Sequence, residues 1–150
     1  MIPQQEGELD FADERHFHLI DYRLGHSYAV VRGMPEPDED DVDGDVPPRV
    51  IDFFFAGASR ISLWKDFVDF HIRRPTDEER SVLEDRIGPL REDDGVYLLE
   101  AGTIETHIVA SRVFWAEFDL HGGAPSPLAV EDPDYRAAHP PVGGVIRFAD

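Results

Sequence analysis

The stretch RVIDFFFA at residues 49–56 is the most hydrophobic part of the chain, and it decides the fold. Successive side chains of an extended strand point to opposite faces of a sheet. One face of this strand carries Ile51, Phe53 and Phe55, and the other carries Val50, Asp52 and Phe54. A strand that is apolar on both faces is typical of the centre of a sheet. We therefore predict a central strand over 49–56.

Other segments on both sides of this strand have strand patterns. Residues 16–24 and 28–32 flank Gly25-His26-Ser27, which predicts a hairpin. Residues 68–73 alternate apolar and polar side chains, as in a half-buried antiparallel strand. The remaining predicted strands are 59–64, 96–100, 103–110 and 113–120, with a short edge strand at 145–148.

One segment has the signature of a helix. Thr76 and Glu79 form a capping box, and Gly88-Pro89 ends the pattern, so a helix is predicted over 77–87. About eight short strands joined by hairpins, with a single helix, indicate an α+β fold that is mainly β. We expect an antiparallel sheet or flattened barrel with helix 77–87 packed on it.

The chain divides into three parts by composition. Residues 1–15 carry five acidic residues and few apolar ones, which predicts a flexible acidic N-terminal arm or one short helix. Residues 16–121 form the predicted globular domain, and residues 34–48 within it contain seven acids and four prolines, typical of a solvated loop. Residues 122–150 are rich in Gly and Pro and are predicted to be a tail that returns only at 145–148.

The charge of the chain limits its partners. Thirty-two acidic against fourteen basic residues give a formal charge of −18. Such a surface repels phosphate backbones and anionic lipid heads, so we expect no binding to nucleic acid or membranes. It attracts cations or a basic protein instead. The N-terminal sequence lacks the pattern of a secretory signal and no apolar run is long enough to span a bilayer, so a cytoplasmic location is expected.

The acidic loop supplies the first candidate binding residues. Glu39, Asp41 and Asp43 match part of a calcium-binding loop around Gly44, but Val50 stands where the bidentate Glu is required. The loop is therefore interpreted as a solvated acidic segment available to a basic partner. Its candidate contact residues are Glu39, Asp40, Asp41, Asp43 and Asp45.

Histidines offer a weaker hypothesis of a metal site. His16 and His18 are two residues apart and share one face of a predicted strand. His71 and His107 lie on other predicted strands, and nothing in the sequence brings the four together. Edge or surface histidines are the simpler interpretation, and no cofactor is expected.

Aromatic and buried acidic residues complete the set of candidates. Trp64 and Trp115 are predicted opposite the apolar faces of their strands, and Trp115 shares its face with Glu117. A Trp beside carboxylates is typical of a contact for a basic partner, or else it packs under the helix or tail. Asp52, within the most apolar strand, is interpreted as a residue at a sheet edge or one that is hydrogen-bonded structurally. If it is buried, its ionised form is disfavoured or it is paired with an Arg.

No motif in the sequence names a reaction, and no catalytic residue is assigned. We favour a non-enzymatic acidic binding protein that captures a basic protein, as an immunity-type inhibitor of bacterial origin does; that comparison rests on charge and size alone. A structural module or homo-oligomer that hides Trp64 or Trp115 is one alternative. A small metal-dependent β-barrel enzyme is the other.

Overall fold

The structure is a computed structural model that describes residues 9–23, 25, 27–35, 48–67 and 69–149. This part of the chain is mainly β, as predicted. The strands are β1 (Asp10–Asp13), β2 (His16–Arg23), β3 (Tyr28–Met34), β4 (Arg49–Ala56), β5 (Arg60–Ser62), β6 (Asp66–Phe67), β7 (Phe70–Arg73), β8 (Gly95–Glu100), β9 (His107–Ala110), β10 (Arg112–Asp119) and β11 (Arg147–Ala149). The helices are α1 (Asp77–Ile87) and α2 (Pro133–Ala138), with a 3-10 turn at Val142–Gly144.

The strands form two antiparallel sheets that pack face to face. The first sheet has the order β1-β7-β8-β9-β5, and the second has the order β11-β10-β4-β3-β2-β6. Strand β4 lies in the middle of the second sheet, between β10 and β3, as its two apolar faces predict. Aromatic rings from both sheets meet between them: the ring centroids of Phe53 and Phe70 are 5.0 Å apart, and those of Phe55 and Tyr97 are 5.6 Å apart.

Helix α1 has the predicted bounds and covers the outer face of the first sheet. The Thr76 hydroxyl accepts a hydrogen bond from the Glu79 amide, and the Glu79 carboxylate accepts one from the Thr76 amide, so the capping box is complete. Glu79 also accepts two hydrogen bonds from Arg73 on β7, at 2.7 and 2.8 Å. Leu83 is the buried residue of the helix and packs against Val96, Leu98 and Val109 of the sheet.

Two segments depart most from the sequence prediction, and the strand predicted over 103–110 begins only at His107, as β9. Residues 10–13, assigned to the flexible arm, form β1, because their backbone pairs with β7 and Leu9 before them is buried in the core. The predicted strand 68–73 is interrupted. Phe67 belongs to β6 in the second sheet and Phe70 to β7 in the first, because the chain crosses between sheets there. Residue 68 and the acidic residues 36–47 lie outside the described residues.

The C-terminal segment is more structured than its composition suggests. Helix α2 was not predicted; the Asp132 side chain caps it by accepting from the Asp134 amide, and Pro133 occupies its first turn. The edge strand expected at 145–148 forms at 147–149 as β11, which pairs with β10. The segment before α2 packs on the second sheet, where Leu128 contacts a cluster that includes Phe118 and Leu120.

A buried ion pair of the second sheet also hydrogen-bonds to the C-terminal segment. Arg32 on β3 and Asp52 on β4 are both fully buried, with Nε to Oδ1 at 2.7 Å and Nη2 to Oδ2 at 2.9 Å. The remaining guanidinium nitrogen of Arg32 donates to the backbone carbonyls of Gly122 and Ala124. The structural interpretation of Asp52 is therefore correct, and its partner is a residue that the sequence did not single out.

Candidate binding groove

A groove of about 710 Å³ opens at the end of the sandwich where β1 leads into β2. Its lining combines an apolar floor with a ring of charged groups. The apolar residues are Phe11, Ala12, Phe70 and Ala101, the carboxylates are Asp13, Glu14, Asp69 and Glu117, and the basic residues are Arg15 and His71.

The aromatic part of this floor is fixed by packing, because Phe70 belongs to the hydrophobic core and Phe11 packs against it. The register of β1 against β7 places Phe11 opposite Ile72 and Asp13 opposite Phe70. The Phe70 ring stacks on Phe17 of the second sheet with centroids 3.7 Å apart. Because close-packed interiors resist deformation, the carboxylates around this floor are held on a rigid frame.

The one guanidinium in the groove is already paired. Among the described lining residues, Arg15 is the only Arg or Lys. Its Nη2 donates to Glu117, its Nε lies 3.6 Å from Asp13, and its backbone amide donates to the same Asp13 carboxylate at 2.8 Å. With His71 counted as neutral, four carboxylates and one guanidinium leave the lining with a surplus of three negative charges.

His71 and the third guanidinium nitrogen of Arg15 also affect the charge and hydrogen bonding of the groove. His71 Nε2 shares a short hydrogen bond with Asp10, a carboxylate that is 69% exposed beside the groove. The Nη1 of Arg15 is buried and finds no hydrogen-bond partner among the described residues. The groove therefore offers a bound partner carboxylate acceptors, because the unpartnered nitrogen of Arg15 is itself buried.

The groove and Trp64 lie on either side of the same turn. The turn joins β8 to β9, and Ala101 at its start lines the groove while its amide donates to the Asp69 carbonyl at 2.9 Å. Glu105 and Thr106 at its end line a hollow of about 260 Å³ together with Trp64. The Trp64 side chain is 74% exposed, so a large aromatic group stands free beside an acidic surface.

The residues predicted to contact a partner differ in where the structure places them. Glu117 lines the groove and Trp64 is exposed, but Trp115 is fully buried against Phe53, with ring centroids 5.6 Å apart. The prediction that Trp115 contacts a partner is wrong, because its face of β10 points between the sheets. The loop residues Glu39, Asp40, Asp41, Asp43 and Asp45 lie outside the described residues.

The four candidate metal ligands are not brought together. His16 and His18 lie on β2 of the second sheet, whereas His71 and His107 lie on β7 and β9 of the first. Across the described ranges, no group of three or more His, Cys, Asp or Glu residues is placed to hold a metal ion.

His107 has a structural environment. Its Nδ1 hydrogen-bonds to the Ile104 carbonyl at 2.8 Å, and its Nε2 accepts from Arg60 Nε at 3.3 Å. Burial lowers the pKa of His107, and the nearby Arg60 charge lowers it further, whereas the hydrogen bond to the Ile104 carbonyl opposes this shift. The imidazole at the start of β9 is thus tied to the preceding turn by its hydrogen bond to Ile104.

Sequence reasoning missed most of the groove. Phe11, Asp13 and Arg15 were assigned to the flexible arm, and Asp69 and Phe70 to a regular strand, so nothing indicated that these segments meet. The local signal was weak: two apolar residues, Leu9 and Phe11, in an otherwise polar stretch.

Comparisons with known proteins give no family assignment. No protein-family model, no curated protein and no solved structure matches the chain. In the described part of the chain, no helix has both the length and the apolar character needed to cross a membrane. The groove must therefore be interpreted from its own chemistry.

Proposed function

We propose that this chain is a non-enzymatic binding protein that captures a basic protein partner in the acidic groove. The observation that carries the proposal is the composition of that groove: carboxylates in excess around a rigid aromatic floor, with the one guanidinium of the described lining already paired. An immunity-type inhibitor of a basic enzyme or toxin is the class of protein that such a surface suits.

The groove matches the chemistry of a protruding Arg or Lys side chain. The aliphatic stem of such a side chain packs on apolar surface while its charged head stays polar. Here partly buried Phe11 and the exposed Ala12 and Ala101 supply the apolar surface, and Asp13, Glu14 and Asp69 supply acceptors for the head. Phosphate or carboxylate ligands would meet like charge at the same positions.

The charge of the whole chain supports capture of this kind. A formal charge of −18 attracts a basic partner over several ångströms and raises the rate of encounter. Exposed Trp64 adds an aromatic contact next to the groove, and Trp is enriched among the residues that contribute most to binding at protein interfaces. Residues 36–47 contribute further negative charge through their composition.

The test uses matched variants of the full chain. Glu14→Gln with Asp69→Asn removes two exposed carboxylates from the groove, and Asp85→Asn with Glu92→Gln removes two exposed carboxylates on α1 and at the other end of β8. The partner is captured from source cells at low salt, identified by mass spectrometry and purified. Its association rate is then measured with the wild-type chain and both double variants.

We expect the groove variant to bind about ten-fold more weakly or slowly, and the control variant to match the wild type. The wild-type association rate should fall as salt is raised, because screening shortens the range of the field. Equal losses in both variants would show that overall charge, and not the groove, attracts the partner. Binding insensitive to both variants would refute the proposal.

A further inference from the structure

Trp64 is the most exposed large hydrophobic residue in the described part of the chain. It is 74% exposed, ahead of Tyr22 at 54% and Phe148 at 53%. Within the described residues, neither another aromatic ring nor a guanidinium stacks on its indole. Single exposed hydrophobic residues are ordinary on a protein surface, so Trp64 becomes informative only through the groups that share its hollow.

Both walls of this hollow are held in place by contacts behind them. On one side, Leu63 packs against the hydrophobic core. On the other side, the Ser62 hydroxyl donates to the Glu105 carbonyl at 2.7 Å, and the Thr106 hydroxyl donates to the Glu100 carboxylate at 2.6 Å. The backbone around the hollow is therefore fixed, and the hollow does not have to form when a ligand arrives.

The carboxylate of Glu105 is accessible from this hollow. The Glu105 side chain is 78% exposed, and the one cation paired with it among the described residues is Arg86. The two charged atoms are 3.6 Å apart, too far for a hydrogen bond, and the Arg86 side chain is 55% exposed. Because exposed pairs of this kind contribute little free energy, a guanidinium from a ligand can replace Arg86. Lys65, the residue after Trp64, is exposed, so its ammonium can turn to solvent.

An indole face and a carboxylate in one hollow match the chemistry of an arginine side chain. A planar guanidinium stacks on an aromatic face and donates to a carboxylate from the edge of its plane. A lysine ammonium is a compact, strongly hydrated point charge and gains less from the same pair. Methylated ammonium groups are held by cages of several aromatic rings, whereas Trp64 is the one aromatic residue that lines this hollow. An anionic ligand would meet like charge at Glu105.

We propose that this hollow is a second binding subsite, which takes an arginine side chain with its guanidinium stacked on Trp64 and hydrogen-bonded to Glu105. The proposal rests on the proposed function in one respect, because it assigns this arginine to the basic partner that the groove captures. Ala101 of the groove and Glu105 of the hollow belong to the same turn, so the two sites take neighbouring basic residues of that partner. The groove accepts Arg or Lys, and the hollow selects Arg.

The test compares two blocked pentapeptides, acetyl-Gly-Arg-Gly-Arg-Gly-amide and its counterpart with lysine at both arginine positions. Each is titrated into the isotopically labelled full chain at low salt, and affinities are taken from backbone amide shifts in NMR spectra. The variants are Trp64→Leu and Glu105→Gln. Their matched controls are Tyr22→Leu, at an exposed aromatic residue on β2, and Glu92→Gln, at an exposed carboxylate after α1. Circular dichroism confirms that all four variants fold.

We expect the wild-type chain to bind the arginine peptide at least about three-fold more tightly than the lysine peptide. In Trp64→Leu the two affinities should become nearly equal, and Glu105→Gln should weaken binding of the arginine peptide about two-fold or more. Both control variants should match the wild type. Equal affinities in the wild type, an arginine preference that survives Trp64→Leu, or amide signals of residues 64 and 105 that do not move would each overturn the proposal.

One further variant separates this proposal from capture by the groove. Glu14→Gln with Asp69→Asn should weaken binding of both peptides by a similar factor and leave the arginine preference intact, because neither residue lines the hollow. If this variant binds both peptides like the wild type while the preference still depends on Trp64, the groove is refuted and the arginine subsite stands. If the groove variant alone loses the arginine preference, the subsite is refuted instead.

Discussion

Removing the carboxylate of Asp52 should lower the free energy of unfolding more than any surface substitution, because it leaves the buried guanidinium of Arg32 without a counter-charge. Both Asp52 and Arg32 are fully buried, so the guanidinium of Arg32 cannot turn to solvent when its partner is lost. Its Nη1 is fixed by the carbonyls of Gly122 and Ala124, which leaves Nε and Nη2 without acceptors in Asp52→Ala.

The expected loss follows from measurements on comparable pairs. Breaking a buried ion pair by removing one partner costs about 3–5 kcal/mol, a large fraction of the roughly 5–15 kcal/mol that holds a domain folded. For a chain of this size the melting temperature should fall by roughly 6–20 °C. Replacing both partners, as Arg32→Met with Asp52→Leu, should recover part of the loss, since no buried charge remains.

Urea unfolding followed by circular dichroism measures these differences, and a second Arg–Asp pair in the same sheet provides the control. Arg49 donates to Asp119 at 3.0 Å, but the two side chains are 53% and 49% exposed. Asp119→Ala should therefore shift the unfolding midpoint only slightly. If Asp52→Ala lowers the free energy of unfolding by less than about 1 kcal/mol, or by no more than Asp119→Ala does, the Arg32–Asp52 pair does not stabilise the fold as its geometry indicates.

Other predictions follow from single contacts. Trp115→Ala should lose about 3–5 kcal/mol in urea unfolding, whereas exposed Trp64→Ala should stay within about 0.5 kcal/mol of wild type; similar losses for both would contradict their burial. The hydrogen-bonded Arg73 guanidinium lowers the pKa of Glu79 from 4.5 to about 2. The stabilisation that ionised Glu79 contributes is present above pH 4.5 and is lost as the pH falls toward 2. The difference in free energy of unfolding between wild type and Glu79→Gln should therefore shrink from pH 4.5 to pH 2. Burial lowers the pKa of His107 in the folded chain. When the pH falls below 6.5, the ordinary pKa of a histidine, the unfolded chain therefore binds a proton more readily than the folded chain. Between about pH 7 and pH 5, the free energy of unfolding should fall more steeply for wild type than for His107→Gln. Parallel pH dependences for the two chains would refute this.

The parts of the fold that depend on local sequence could be predicted. Helix α1 begins at a capping box and ends before a Gly-Pro pair, and both signals lie within the helix or beside it. Strand β4 could be placed at the centre of a sheet because both of its faces are apolar. These features require no knowledge of what the segments contact.

The parts that depend on distant contacts could not be predicted. Alternation along β10 shows which side chains share a face but not which face lies between the sheets, so Trp115 was placed on the wrong side. Strand β1 has little apolar character, and it forms because β7 offers a pairing edge. The sequence suggested an Arg for Asp52, but only the register of β3 against β4 identifies Arg32.

The groove was inaccessible from sequence for the same reason. It is assembled from four segments far apart in the chain: residues 11–15, residues 69–71, Ala101 and Glu117. Each segment is ordinary by itself, and only the crossing between the sheets brings them to one end of the sandwich.

The most direct test of capture by the groove needs no knowledge of the natural partner. A short Arg-rich peptide is titrated into the isotopically labelled chain at low salt, and backbone and indole shifts are followed by NMR. The account predicts that the changes concentrate at residues 10–15, 69–71 and 101 and at the Trp64 indole. Changes spread evenly over the acidic surface, or confined to residues 36–47, would contradict it.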